Sequence, residues 1–358
     1  AAAVSLVFRY DYDAGGFFGT DLAPSPARAA LEFAGRAFSA FTDILHPILP
    51  GGSNTWTARF LHPATGQLES LANLVVPTNQ VIVFVGARDL SGGRVAEASR
   101  GAYAFSQPAA LTPQFSNAVI NRGQGSTQTD FGPWGGSIAF DTHTAEGQPR
   151  NWHYDPVAPP DQSAYDFLSV AIHELAHLFG FGVSASGSFA AHVQNGHFGG
   201  PATTALYGGS TPLQAGGDHW ASYVTSPPFA GDAPRPALGP FSFPGERFPL
   251  TPLDYAALSD VGWQTPPELL RLPGDVNGDL RVDGADWLVW QRGLGGLGGT
   301  PGAAKGDLEV DEYDGWFIRH FFGATAETGA MTGAPEPTSL ASALAGAALL
   351  ASARRRLT

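Results

Sequence analysis

The chain reads as an α+β protein: a mixed sheet with one long apolar helix, followed by a small all-α module built on an acidic repeat. Three observations predict this. Short strand-like runs alternate with Gly- and Pro-rich loops, two longer segments carry apolar positions at helical spacing, and beyond residue 273 the composition shifts to Asp, Gly and Trp. Hydrophobic residues make up 43% of the 358, enough for a sizeable core, and charged residues only 14%, too few for a disordered chain. The 46 Gly and 29 Pro indicate many turns.

Residues 4–12 (VSLVFRYDY) predict a strand, and 24–45, opened by Ser25-Pro26, a long helix. Residues 55–60, 80–86 (QVIVFVG) and 136–140 (GSIAF) predict further strands of a mixed sheet. Asp161 or Ser163 is expected to cap a helix that runs to Phe179, where Gly180 and Gly182 stop it. The stretch to about 250 reads as loop, and a short helix over 252–261 ends a first domain, 1–264. Residues 265–273, with Thr265-Pro266-Pro267, read as a linker to a second domain, 274–324. A second linker, 325–334, precedes a tail, 335–358, of Pro335-Glu336-Pro337, an Ala/Leu run and Arg354 to Arg356.

Lys and Arg total 19 against 32 Asp and Glu, so 19 − 32 gives −13, which disfavours nucleic acid and anionic lipid and favours divalent cations. The absence of Cys excludes disulfides, thiolate metal sites and cysteine nucleophiles. Ala1-Ala2-Ala3 fits the scar of a removed signal peptide, which leads to the expectation of a secreted or cell-surface protein.

Residues 170–182 read VAIHELAHLFGFG, so His173, Glu174 and His177 form HExxH. On a helix the two imidazoles share one face and can fill two corners of a tetrahedral Zn²⁺ site, with Glu174 placed as general base towards an activated water. The third ligand must come from further along, from His192, His197, Asp218 or His219. No Glu lies between Glu174 and Glu246, so a third glutamate from a closely following helix has no donor.

HELAHLFGFG, FGGPA (198–202), GGDHWASY (216–223) and LTPLDYAALSDVGW (250–263) together resemble bacterial secreted metzincin-type proteases related to leishmanolysin, over roughly residues 1–264. The resemblance implies a zincin fold, a peptide or protein substrate, and hydrolysis of peptide bonds by a zinc endopeptidase. It also implies that the third ligand is the His of an HW dipeptide after a long insertion, here His219-Trp220, 219 − 177 = 42 residues beyond His177. Two departures stand out. Val183 occupies the place of the usual third histidine, and Leu238 occupies that of the methionine under the metal, since the sole Met is Met331. Both suit the competing reading, a non-catalytic zinc-containing surface or adhesion protein that keeps the zincin fold as a scaffold. GGSIAFD (135–141) resembles the edge strand on which such proteases align a peptide, and His143 and His153 read as surface residues.

Asp275, Asn277, Asp279, Asp283 and Asp286 put oxygens at positions 1, 3, 5, 9 and 12 of a twelve-residue loop, with the Arg281 carbonyl at 7, the spacing of a Ca²⁺ site. The loop recurs 307 − 279 = 28 residues later, with Asp307, Asp311 and Asp314 but with Ala303 and Lys305 at positions 1 and 3. Loop and following helix resemble a type I dockerin over roughly 274–324, which implies a cohesin-like partner. The tail resembles a PEP-CTERM sorting signal, which implies an exosortase-type processing enzyme and transient membrane contact during export.

Overall fold

Residues 3–125, 129–296, 302, 304 and 310–326 are described by the structure, a computed structural model. Its strands of three residues or more are β1 Ser5–Arg9, β2 Thr57–Leu61, β3 Leu68–Ala72, β4 Gln80–Arg88, β5 Ala96–Arg100, β6 Ala102–Ala104 and β7 Gly135–Asp141. Its α-helices are α1 Pro26–Gly35, α2 Pro113–Ile120, α3 Phe167–Leu178, α4 Gly187–Ala191, α5 Pro201–Tyr207, α6 Pro252–Asp260, α7 Gly284–Gly293 and α8 Glu312–His320. The mixed α and β composition agrees with the expected α+β class.

The main sheet has the order β1-β4-β7-β5, with β1, β4 and β7 parallel and β5 antiparallel to β7. A run buried on both faces explains β4: residues 81–87 are all buried, which requires cover above and below. Val81, Val83 and Val85 point to the core shared with α1 and α3, whereas Ile82 and Phe84 point to a second cluster with Trp56, Phe60 and Trp134. Phe60 stacks on Phe84 at 4.3 Å, which seats the small antiparallel sheet β3-β2-β6 on that face. Gly135 allows β7 to enter the sheet, because with φ 146° its added Cβ would lie 1.8 Å from the Ile82 carbonyl oxygen.

Several elements differ from the expectations. The first helix ends at Gly35 and a 3₁₀ turn at Phe38, not at residue 45. Packing overrides helical spacing here: Phe38 lies 4.6 Å from Phe179 and Phe41 5.3 Å from Trp263, ring to ring, with Phe41 already outside the helix. The cap of α3 is Asp166, since residues 165–166 first pair with 152–153 as short strands, while Asp161 instead closes a turn onto the Ser163 N–H. The stretch 179–250 contains α4, α5 and a small sheet over 193–194, 197–198 and 211–212. GGSIAFD is not an edge: β7 is wholly buried between β4 and β5, and the edge strand beside it is β5, whose short polar sequence AEASR concealed it.

Residues 1–327 cluster as one compact unit and 328–358 as another, of which nothing is described. The segment read as a linker, 265–273, holds a 3₁₀ turn, Pro267–Leu270, with Leu269 and Leu272 buried. The second-loop residues Ala303, Lys305 and Asp307, and the whole sorting tail, lie outside the described residues. Among the described residues, no helix is long and apolar enough to cross a membrane.

Candidate metal centre

α3 begins where Asp166 accepts the Ser169 N–H at 3.1 Å, and it ends where the chain turns through Gly180 at φ 98°. A side chain there would require a strained backbone and put its Cβ 2.7 Å from the Phe131 ring, which explains the glycine. Between these ends, His173 and His177 lie one turn apart.

Each ring is locked by a backbone carbonyl: His173 Nδ1 donates to Ala237 O at 2.8 Å and His177 Nδ1 to Phe181 O at 2.9 Å. A carbonyl only accepts, so each Nδ1 carries the proton and each Nε2 presents a lone pair. The two Nε2 atoms are 3.1 Å apart, and His219 Nε2 lies 3.1 Å from that of His173. Burial lowers the pKa of all three, His173 well below the ordinary value with help from the other two rings, and His219 to about 4. Neutral rings with both Nδ1 protonated cannot hydrogen-bond through Nε2, so His173 and His177 aim lone pairs at a common point. Tetrahedral Zn²⁺ with Zn–N of about 2.0–2.1 Å sets its nitrogens about 3.3 Å apart, so the donor set fits the ion. Among the described residues this is the only group of three His, Cys, Asp or Glu side chains with ligand atoms within 4.8 Å of one another.

The sequence reaches His219 by a turn anchored on both sides. Trp220 is fully buried, 4.9 Å from Phe181 ring to ring, and its Nε1–H donates to Asp254 at 2.9 Å. Asp254 also accepts the Ala237 N–H at 3.0 Å and the Thr251 N–H at 2.8 Å, so one buried carboxylate ties together the His219 segment, the carbonyl that orients His173, and the start of α6. Sequence reasoning missed that role. The Thr251-x-x-Asp254 capping box was the available signal. Leu238, next to that carbonyl, is fully buried and keeps the turn apolar.

The other candidates stay apart. Asp218 accepts the Ser184 N–H and hydroxyl at 2.8 and 2.7 Å, His192 Nε2 meets Asp260 O at 3.1 Å, and the exposed His197 bonds to Asn195 O.

Glu174 sits beside the histidines. Burial pushes its carboxyl up to about 8, against the opposing bond from the Ala98 N–H and with a further push from Glu97. The four residues open on a cleft of about 630 Å³, walled by β5, Tyr165 and Phe241. Along β5, Asp141 N–H bonds to Val95 O and Gly101 N–H to Gly135 O, so alternation turns the backbone groups of Ala96, Ala98 and Arg100 away from β7, with the Ala98 N–H taken by the Glu174 carboxylate.

In the acidic loop, Asp275 accepts the N–H groups of Gly278, Asp279 and Leu280, Asn277 that of Asp279, Asp279 that of Arg281, and Asp286 those of Val276, Asn277 and Asp283. Asp283 accepts from Ala285 and caps α7. Leu280, at position 6, takes the left-handed φ of 68° that turns such a loop sharply. No family model matches the chain, and neither a curated protein nor a solved structure is found to be similar to it.

Proposed function

We propose that the protein is a zinc-dependent endopeptidase, secreted or at the cell surface. The observation that carries the reading is the convergence of three neutral imidazoles, two with tautomers fixed by carbonyls, beside a carboxylate in an open cleft. His173, His177 and His219 hold the ion. Bound Zn²⁺ supplies Lewis acidity and lowers the pKa of a water to near neutrality. The open edge of β5 pairs with an extended peptide and sets the scissile carbonyl over the cleft. Glu174, held ionised by the charge of a nearby cation against the burial that raises its pKa, takes the proton of the attacking water and delivers it to the leaving amine.

Zinc content and peptide-library cleavage test the reading. The expected result is one zinc per chain and cleavage blocked by a chelator, with Glu174→Gln keeping zinc and losing about 10²-fold or more in turnover. His219→Ala should lose both. Zinc without cleavage of any peptide would instead support the scaffold reading, which Leu238 favours by replacing the expected methionine, although its buried side chain leaves the apolar floor intact.

We also propose Ca²⁺ as the ligand of Asp275, Asn277, Asp279, the Arg281 carbonyl, Asp283 and Asp286. The left-handed turn at Leu280 supports this assignment.

A further inference from the structure

The acidic module reaches well beyond its own loop. Its last helix, α8, buries Tyr313, Trp316 and Phe317, and Phe33 of α1 meets the first two with ring centroids 5.0 and 6.3 Å away. Two routes lead from the module to the histidines. Along the first, Trp316 Nε1–H donates to Pro156 O at 2.6 Å, and the same carbonyl accepts Arg247 Nη1 at 2.5 Å. Arg247 then forks onto Asp166 at 2.7 and 3.0 Å, and Asp166 caps the helix that carries His173 and His177. Arg247 and Asp166 are 7% and 1% exposed, so this fork is held without competing water.

Along the second route, the Ala230 N–H donates to Thr325 O at 2.8 Å, and Phe229 packs on Phe321 with centroids 5.3 Å apart. The segment that starts there ends at Ala237, whose carbonyl orients His173. One route fixes the start of α3, and the other fixes the tautomer of its first histidine.

We propose that the carboxy-terminal module braces the His173–His177–His219 centre, with Trp316 and Arg247 as positioning residues that hold α3 in register with the Ala237 carbonyl. The inference rests on the metal-centre reading. Ring orientation in such a site must hold within about 10–20°, and supporting contacts set it.

The test uses the full chain loaded with Co²⁺ in place of zinc, whose visible absorption reports ligand geometry. Trp316→Phe keeps an aromatic ring and removes the N–H, and Arg247→Gln removes the fork. Both should alter the Co²⁺ spectrum and release metal to a chelator about tenfold faster. On peptide substrate, both should lower kcat with KM retained, and Arg247→Lys should recover part of each loss. Phe60→Leu, in the separate cluster with Trp56 and Trp134, serves as a control for general loss of stability and should leave all these readouts unchanged. Wild-type spectra and release rates in both variants would overturn the brace, as would Phe60→Leu reproducing their changes. A wild-type chain that takes up neither Co²⁺ nor Zn²⁺ would overturn the metal-centre reading and the brace with it. Should Trp316→Phe fail to fold, the Arg247 pair decides.

Discussion

Asp43 is 4% exposed and accepts the Gln264 N–H at 2.8 Å, yet burial, aided by the charge of Asp130, pushes its carboxyl up to about 6. A folded pKa above the unfolded one means that the fold holds a proton the unfolded chain has already released. The associated stability is full below the unfolded value of 3.8 and is lost as pH rises through about 6. Asp43→Asn cannot titrate and keeps an acceptor for Gln264. Its stability relative to wild type should therefore improve by up to about 3 kcal/mol between about pH 4 and pH 7, as read from denaturant unfolding. A difference that stays flat over that window would mean that the buried carboxylate ionises without cost. Of the residues at the candidate metal centre, His173, Glu174 and His177 were legible because one helical turn ties them together. The carbonyls of Ala237 and Phe181 were not, because a carbonyl has no sequence signature, and Asp254 showed only as a local capping box, because its partners Trp220 and Ala237 lie 34 and 17 residues away.

At the scale of elements, α3 carries His173 and His177 and β5 supplies the open edge beside them, the strand on which the proposed function would seat a peptide. Ala96 opens β5 and turns its N–H away from β7, so Ala96→Pro should leave the sheet paired while removing one donor from the open edge. Michaelis–Menten analysis should then show KM raised about tenfold with kcat little changed, the loss expected for one backbone hydrogen bond. Unchanged KM would show that peptides bind elsewhere. The buried run of β4 and the apolar core helix could be read from the sequence, since continuous apolar residues and helical spacing are local. The edge could not. Which strand lies outermost depends on pairing order, and β7, the more apolar strand, is enclosed by a polar one.

In the molecule as a whole, the acidic loop is stitched to the segment that leads to the Ala237 carbonyl. Val282 N–H bonds to Ala324 O, Ala326 N–H to Leu280 O, and Ala230 N–H to Thr325 O, so residues 280–282, 324–326 and 229–230 lie side by side. Calcium bound at Asp275 to Asp286 should therefore stabilise the whole unit. At a free concentration a hundredfold above Kd the gain is about 2.7 kcal/mol, visible as a raised melting midpoint of the zinc-loaded protein. Asp275→Ala should abolish that rise. A midpoint indifferent to Ca²⁺ in wild type would mean that the loop closes on its own N–H groups alone.

A family resemblance, and not spacing, singled out His219 from His192, His197 and Asp218, whereas the sequence by itself determined the α+β class, the HExxH helix and the acidic repeat. These follow from spacing, composition and short motifs, all local properties. Tertiary structure alone decided the tautomer of His173, the open edge at β5, the anchoring of the His219 and Ala237 segments by Asp254, and the docking of α8 on α1. Each of these joins residues tens to hundreds of positions apart, where only packing and the need to satisfy buried polar groups choose the partner.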